Sequence, residues 1–119
     1  MKRLRQLIQG FQNKRVVVFG DFVADVFAYG ETSRISREAP VLVLNRRETQ
    51  FVPGGGANAV SNLRTLGAAP IPVGVVGDDA EGHHLLRHLE QAGIDIGGIQ
   101  VADSYLTPTK MRILAGAEH

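Results

Sequence analysis

The sequence predicts an α/β fold, a mainly parallel sheet with helices between its strands, and three observations lead to this prediction. The apolar run 16–20 has the pattern of a strand that is buried on both faces of a parallel sheet. A similar run follows at 71–76. Between the two runs, apolar residues recur at the spacing of a helix, at Ala59, Val60, Leu63 and Leu66. The order strand, helix, strand implies a right-handed crossover and therefore a parallel pair of strands.

Composition narrows the class of protein. A chain of 119 residues is long enough for one modest domain with one core, and 44% hydrophobic and 21% charged residues are typical of a globular protein. A net charge of +1 gives no argument for binding nucleic acid. The lack of cysteine excludes disulfides and thiolate metal sites. Since no apolar run has the length of a signal peptide or a membrane span, we expect a cytoplasmic protein with no membrane partner.

Two further helices are predicted on either side of this central unit. Near the N-terminus the apolar stripe is expected to pack against its own domain, with attachment to a membrane surface as the alternative, and its members are Leu4, Leu7, Ile8 and Phe11. Helix 83–92 follows Asp78 and Asp79, whose charges suit a helix N-terminus without any catalytic purpose. His84 and His88 lack the carboxylate of an H-E-x-x-H pattern, so we predict a solvated face and no metal site.

The chain is organised around a glycine run, Gly54-Gly55-Gly56-Ala57-Asn58, at the start of the central helix. Glycine has no Cβ, so the backbone can adopt positive φ there and a ligand can approach it closely. The free N–H groups of a helix start favour anionic or oxygen-rich ligands, and the side chain of Asn58 can both donate and accept. The alternative interpretation is a flexible turn with Asn58 as the cap of an ordinary helix.

Acidic residues follow the first strand. In open α/β sheets ligands bind beyond the carboxyl ends of the strands, which makes Asp21 and Asp25 candidates for function. For Asp21, capping of the next turn is an equally good interpretation. Further along, Lys110 and Arg112 alternate with apolar residues and point the same way on a predicted strand. They suit a phosphate, although basic residues on an edge strand also protect against aggregation.

Several motifs resemble those of a known family. Gly54-Gly55-Gly56-Ala57-Asn58, with Gly67 and Gly77, resembles the first signature of the ribokinase-like sugar kinases, although Val60 stands where that pattern has Ser, Thr or Ala. Segment 32–40, Thr-Ser-Arg-Ile-Ser-Arg-Glu-Ala-Pro, resembles one in the heptose 7-phosphate kinase domain of bifunctional ADP-heptose synthases. Segment 109–112, Thr-Lys-Met-Arg, matches the Thr-Lys-x-Arg form of the same kinases.

The resemblance implies a fold and a set of binding residues. The fold is a ribokinase-like three-layer α/β/α domain with a small β lid, here formed by strands near 26–30 and 41–45, which often serves for dimerisation. Asp25 falls at the position of the aspartate that binds substrate hydroxyls, a role that suits the two acceptor oxygens of a carboxylate. The implied substrate-binding residues are Asp25, Gly54, Gly55, Gly56, Asn58, Arg34, Lys110 and Arg112. Arg34 and Arg37 suit a substrate phosphate, and the alternative interpretation is that both are solvated residues of the lid.

The implied activity is phosphorylation of D-glycero-D-manno-heptose 7-phosphate at the anomeric hydroxyl, in ADP-heptose synthesis for the lipopolysaccharide core. The family's catalytic base lies on a Gly-x-Gly-Asp turn in the second half of its domain, and residues 1–119 contain no such turn and no G-x-x-x-x-G-K-[ST] loop. We therefore expect an N-terminal part without a catalytic residue, inactive and without bound cofactor alone, the complete enzyme using ATP and Mg²⁺.

Two alternatives remain open at this point. One is a module that binds a sugar phosphate, or assembles with another chain, without chemistry. The other is a different ribokinase-like kinase, for ribose, fructose phosphate or a nucleoside, against which the Thr-Ser-Arg-Ile-Ser and Thr-Lys-x-Arg segments argue. If the chain is an N-terminal part of the family's domain, its sheet ends in an unpaired edge, which predicts self-association or marginal stability.

Overall fold

A computed structural model describes residues 1–116, apart from the side chain of Ser33, so the last three residues of the predicted segment 1–119 lie outside the described residues. The chain divides into two compact units, the first formed by 1–24 and 53–108 and the second by 25–52 and the residues from 109 onward. The elements in chain order are α1 (Lys2–Gln9), β1 (Arg15–Phe19), β2 (Phe22–Ile35), β3 (Leu42–Gly55), α2 (Gly56–Thr65), β4 (Ala69–Gly77), α3 (Ala80–Gln91), β5 (Ile99–Ala102) and β6 (Thr109–Ala115).

The first unit contains a parallel sheet in the order β1-β4-β5. Val17 pairs with Ile71 across β1 and β4, which confirms the predicted parallel pair. Strand β5 pairs parallel to the other edge of β4, with Val76 opposite Val101. The sequence did not predict β5, because four residues are too short to show a reliable period.

Helices cover one face of this sheet and leave the other open. Helices α2 and α3 both pack on β4, and the fully buried side chains on this side include Val60, Pro72, Val76, Leu85 and Leu89. On the opposite face Phe19 is 82% exposed and Val17 is 64% exposed. The prediction that 16–20 is buried on both faces is therefore wrong for the described residues. The apolar run was identified correctly, but an apolar pattern does not tell whether a covering layer is present.

Helix α1 differs from its prediction in the same way. It forms where the apolar spacing placed it, but none of its residues is buried. Its apolar stripe keeps 41–55% exposure at Leu4, Leu7, Ile8 and Phe11. The expected packing of this stripe against its own domain is thus not observed. No helix within 1–116 has the combination of length and apolar character that crossing a bilayer requires.

The ring of Phe22 fixes the start of β2 and the glycine run against the sheet. Phe22 is 1% exposed, and its ring lies so close to Gly74 of β4 that a Cβ there would collide with it. A Cβ on Gly56 would lie 3.1 Å from the same ring. Because both neighbours are glycines, the aromatic ring fills the space that two side chains would otherwise occupy.

The second unit is built on a three-stranded sheet in the order β3-β2-β6. The loop between β2 and β3 is closed by a hydrogen bond from Ser36 N–H to Val41 O of 2.7 Å. The predicted strands at 26–30 and 41–45 lie, apart from Val41, within two strands of 14 residues each, so the predicted bounds are too short. Their role as a lid stays a prediction. Polar residues continue the pairing, as in the ion pair of 3.0 Å between Arg47 and Glu31.

Candidate functional site

The glycine run forms a tight bend that is locked onto the chain after β1. Gly55 precedes α2 with φ +57° and ψ −131°, a conformation that is essentially limited to glycine. A Cβ on Gly55 would lie 2.6 Å from the carbonyl oxygen of Asp21 and 3.0 Å from Val23. Gly56 N–H donates to the same carbonyl at 2.7 Å. The predicted positive φ is confirmed, but the first helical amide binds the protein itself and is not offered to a ligand.

Asn58 is the third residue of α2 and its side chain is exposed. The residue that precedes the helix is Gly55, and no side chain caps this end. The interpretation of Asn58 as a helix cap is therefore wrong. Buried Ala57 and Val60 hold the helix against the core and leave the Asn58 amide on the outer surface, where it can donate to and accept from a ligand.

In the second unit, Asp25, Phe27 and Tyr29 alternate along β2 and therefore share one face of the sheet. All three are partly exposed, whereas Val26 and Ala28 between them are buried on the opposite face. The carboxylate of Asp25 thus stands on a surface that also presents two aromatic rings. Such a surface offers acceptor oxygens beside flat apolar area, a combination suited to a polyol.

Strand β6 contributes the positive charges. The guanidinium carbon of Arg112 lies 5.1 Å from the centre of the Phe27 ring, so Arg112 projects from the same face as Asp25. Lys110 is two residues earlier on β6, and alternation puts it on this face as well. Both basic residues are exposed. The structure therefore groups Asp25, Lys110 and Arg112 on one face of neighbouring strands, which we call the β2–β6 face.

Sequence reasoning missed the aromatic part of this face. The rings of Phe27 and Tyr29 are nearly parallel, at 16°, with centres 6.4 Å apart. Tyr29 Oη donates to Gln50 Oε1 at 3.2 Å, which brings β3 into the same surface. The signal was present in the sequence as Phe27 and Tyr29 at a spacing of two, after an aspartate at the same spacing.

The other residues predicted to bind a ligand are less well placed to join the β2–β6 face. Arg34 is exposed on β2, and strict alternation assigns it to the face opposite Asp25. Arg37 is exposed in the loop between β2 and β3. Asp21 acts through its main-chain carbonyl, which anchors Gly56, while its side chain is exposed. Phosphate binding by Arg34 stays a prediction.

An open cavity of about 300 Å³ lies in the first unit at the carboxyl end of β1, beside Gly74 and Val75 of β4. Ligands commonly bind at this location in α/β sheets. Its walls are mainly apolar, and the lining residues are Phe19, Gly20, Asp21, Gly74, Val75 and Tyr105. Within 1–116 no group of three His, Asp or Glu side chains is arranged to hold a metal ion.

A family model and curated relatives both show similarity of this chain to known proteins. The model of the pfkB family carbohydrate kinase matches residues 13–119. The chain is 41% identical over 102 residues to the bifunctional protein HldE of Helicobacter pylori strain J99, and 43% identical over 105 residues to HldE of Hahella chejuensis. These matches cover 86% and 88% of this chain but 22% of each relative, so the chain spans about a fifth of their length.

Solved structures show the same fold. Arabidopsis thaliana ribokinase, complexed with ribose and ATP, superposes with a TM-score of 0.69 at 21% identity, covering 87% of this chain and 33% of that one. Halothermothrix orenii fructokinase superposes with a TM-score of 0.61 at 28% identity, covering 83% and 33% respectively. The arrangement of strands and helices described above is thus ribokinase-like.

Proposed function

The chain belongs to the pfkB family of carbohydrate kinases, and on this premise we propose that it is the sugar-binding part of an ATP-dependent kinase. We propose D-glycero-D-manno-heptose 7-phosphate as the substrate and the anomeric hydroxyl as the acceptor. The similarity to the HldE proteins and the Thr-Lys-x-Arg segment support this choice over ribose or fructose phosphate. The biological role proposed with it is cytoplasmic ADP-heptose synthesis for lipopolysaccharide.

The observation that carries this proposal is the grouping of charges on the β2–β6 face. An aldose phosphate has hydroxyls at one end and a dianion at the other, and it needs acceptors and cations at a matching separation. Asp25 supplies a carboxylate that accepts charge-assisted hydrogen bonds from hydroxyls, while Lys110 and Arg112 supply donors for the phosphate. The Phe27 ring, against which Arg112 lies, holds the guanidinium on this face before a ligand arrives.

In this proposal each residue has a separate role. Asp25 orients the sugar by its hydroxyls, and Arg112 and Lys110 fix the phosphate end. The family resemblance also implies a phosphate contact for Arg34, which strict alternation places on the opposite face of β2. The glycine bend and the Asn58 amide bind sugar hydroxyls, as the family signature implies. Phosphoryl transfer in the complete enzyme uses ATP and Mg²⁺, and these 119 residues contain neither a Gly-x-Gly-Asp turn nor a Walker-type loop to hold the nucleotide.

Dimerisation through the second unit is part of the proposal. On the face opposite Lys110 and Arg112, strand β6 presents two large apolar side chains to solvent, Met111 at 60% and Ile113 at 63% exposure. Exposed apolar residues that share one face are a common feature of protein interfaces. A homodimer formed through this sheet would remove them from water.

The test is calorimetric titration of the chain with heptose 7-phosphate, ribose and fructose 6-phosphate, together with an assay of ADP release. We expect binding of heptose 7-phosphate in preference to the other two and no turnover of ATP. Equal or tighter binding of ribose or fructose 6-phosphate would assign the site to another sugar. ADP release that depends on sugar phosphate, with these residues alone, would contradict the proposed division of labour.

A second candidate function is a module that binds sugar phosphate without chemistry. It is favoured by one observation, that the proposed binding residues Asp25, Lys110 and Arg112 share one face, which can hold a sugar phosphate without a catalytic residue. The two candidates differ in one experiment. Addition of a separately produced second half of an HldE kinase domain restores ATP turnover if the chain is part of an enzyme, and leaves binding without turnover if it is not.

A further inference from the structure

A partly buried hydrogen-bonded cluster joins the start of α3 to the segment that leads into β6. Both oxygens of Asp79 take part: Oδ1 accepts from Gly82 N–H at 2.8 Å and from Thr107 Oγ1 at 2.7 Å, and Oδ2 accepts from Thr107 N–H at 2.9 Å. The Thr107 hydroxyl in turn accepts from Gly77 N–H at 2.8 Å. We call this group the Asp79–Thr107 clasp. Its hydrogen bonds connect residues that are 28 to 30 positions apart in the chain.

The residues of the clasp are closely packed. Thr107 is only 5% exposed, and both hydrogen-bonding functions of its hydroxyl are satisfied. Gly77 lies against the carbonyl of Tyr105, and Gly82 lies against the carbonyl of Gly77, each so closely that a Cβ would collide. The backbone before residue 108 is therefore held in one position by side-chain hydrogen bonds and by close packing together.

A hydrogen bond next to the clasp connects this segment to β2. Ala24 N–H of β2 donates to Pro108 O at 2.9 Å, and Pro108 directly follows Thr107. A proline has no N–H to donate, so at this position the alignment of the two strands depends on the proline carbonyl. On β2, Asp25 directly follows Ala24. On β6, Lys110 lies two positions after Pro108.

We infer that Asp79 and Thr107 are positioning residues, which set the register of β2 against β6 and thereby the separation of Asp25 from Lys110 and Arg112. The inference rests on the proposed function for its consequence, but not for its geometry. A slip of two residues between the strands would move the carboxylate relative to the cations by about 7 Å. That distance exceeds what the side chains of a preorganised site can absorb.

The experiment compares matched variants of the clasp. Thr107→Val keeps the shape and the N–H but removes the hydroxyl, whereas Thr107→Ser retains the hydroxyl. Asp79→Asn keeps the size of the side chain, and the adjacent Asp78→Asn is the control, because the exposed Asp78 carboxylate pairs with His83 at 2.7 Å, outside the clasp. The two readouts are hydrogen exchange of the Ala24 amide and the affinity for heptose 7-phosphate, both measured well below the unfolding temperature.

We expect Thr107→Val and Asp79→Asn to accelerate exchange at Ala24 about tenfold or more relative to the amides within β1 and β4, and to weaken binding by a similar factor, which corresponds to about 1.4 kcal/mol. Thr107→Ser and Asp78→Asn should remain near the parent protein. If Ala24 exchange is unchanged, or rises only in proportion to β1 and β4, the clasp is merely structural and the inference is overturned.

The exchange measurement separates this inference from the proposed function. If the parent chain binds no sugar phosphate, the proposed function fails, yet the Ala24 amide still reports whether the clasp sets the strand register. If the parent binds and the clasp variants bind equally well while Ala24 exchanges faster, the register does not determine affinity, which also overturns the inference.

Discussion

Replacement of Gly55 by alanine tests the bend on which the candidate site is built. The backbone there has φ +57° and ψ −131°, so any Cβ introduces conformational strain of about 1–3 kcal/mol. The new methyl would also lie 2.6 Å from the Asp21 carbonyl oxygen. Relief of that contact lengthens the hydrogen bond that Gly56 N–H donates to the same oxygen. Loss of this hydrogen bond costs about 1 kcal/mol. We therefore expect Gly55→Ala to lower the free energy of unfolding by about 2–4 kcal/mol.

The assay is urea denaturation followed by circular dichroism, with two glycine controls in the first unit. Gly20→Ala introduces a methyl with no atom within 4 Å, so a change below about 1 kcal/mol is expected. Gly93→Ala meets positive φ, +77°, but only the flexible Arg64 side chain, at 3.3 Å. The excess of Gly55→Ala over Gly93→Ala thus measures the collision with the backbone. A loss for Gly55→Ala within about 0.5 kcal/mol of that for Gly20→Ala would refute the reasoning.

Three further predictions concern charge, surface and aromatic contacts. Hydrogen bonds, first from Thr107 N–H, lower the pKa of Asp79 below its ordinary value of 3.8, against the opposing effect of burial. Its stabilisation is therefore complete above the unfolded pKa and lost as pH falls through the folded one. The difference in unfolding free energy between the parent and Asp79→Asn should shrink below about pH 4. Phe19→Lys on the open sheet face should reduce self-association in sedimentation velocity, since Phe19 is 82% exposed. Phe27→Leu should cost about 0.5–1 kcal/mol through its contact with Arg112, and Arg112→Met should add little to it in a double-mutant cycle.

Each of these has an outcome that contradicts it. A difference between the parent and Asp79→Asn that stays constant from pH 7 to pH 2.5 would remove the link between the carboxylate and stability. Met111→Lys is the counterpart of Phe19→Lys, because Met111 is exposed on the sheet of the second unit. Loss of self-association with Met111→Lys alone would assign the contact to that sheet. Additive effects of Phe27→Leu and Arg112→Met would mean that the two side chains do not interact.

The sequence predicted those elements whose signal is local. The apolar run at β1, the helix after Asp79 and the glycine bend depend on neighbouring residues, and all three are present, although α3 begins at Ala80 and not at the predicted residue 83. Gly67 follows α2 with φ +98°, as a glycine that ends a helix does. The prediction of the apolar face of α2 was less accurate, because the predicted Ala59 is exposed while Ala57 is buried. Helix periodicity gives the existence of an apolar face but defines its centre only within one residue.

Features that depend on distant residues were not predictable in the same way. Strands β2 and β3 are long because each pairs with the other through polar positions, such as Glu31 with Arg47, that look like loop in isolation. The role of Asp79 in the clasp depends on Thr107, which follows 28 residues later, and only its position at a helix start was visible. Likewise, the alternation of Lys110 with Arg112 was evident, but the Phe27 ring beneath Arg112 required the fold.

The central claim is that the β2–β6 face binds a phosphorylated polyol through Asp25 at one end and Arg112 at the other. Calorimetric titration of Asp25→Asn and Arg112→Met with heptose 7-phosphate and with unphosphorylated heptose tests it most directly, with Arg87→Met on α3 as the control. Asp25→Asn should weaken both ligands about tenfold or more, while Arg112→Met should weaken only the phosphorylated one. Unchanged affinity of Asp25→Asn, or equal losses for both ligands with Arg112→Met, would contradict the account.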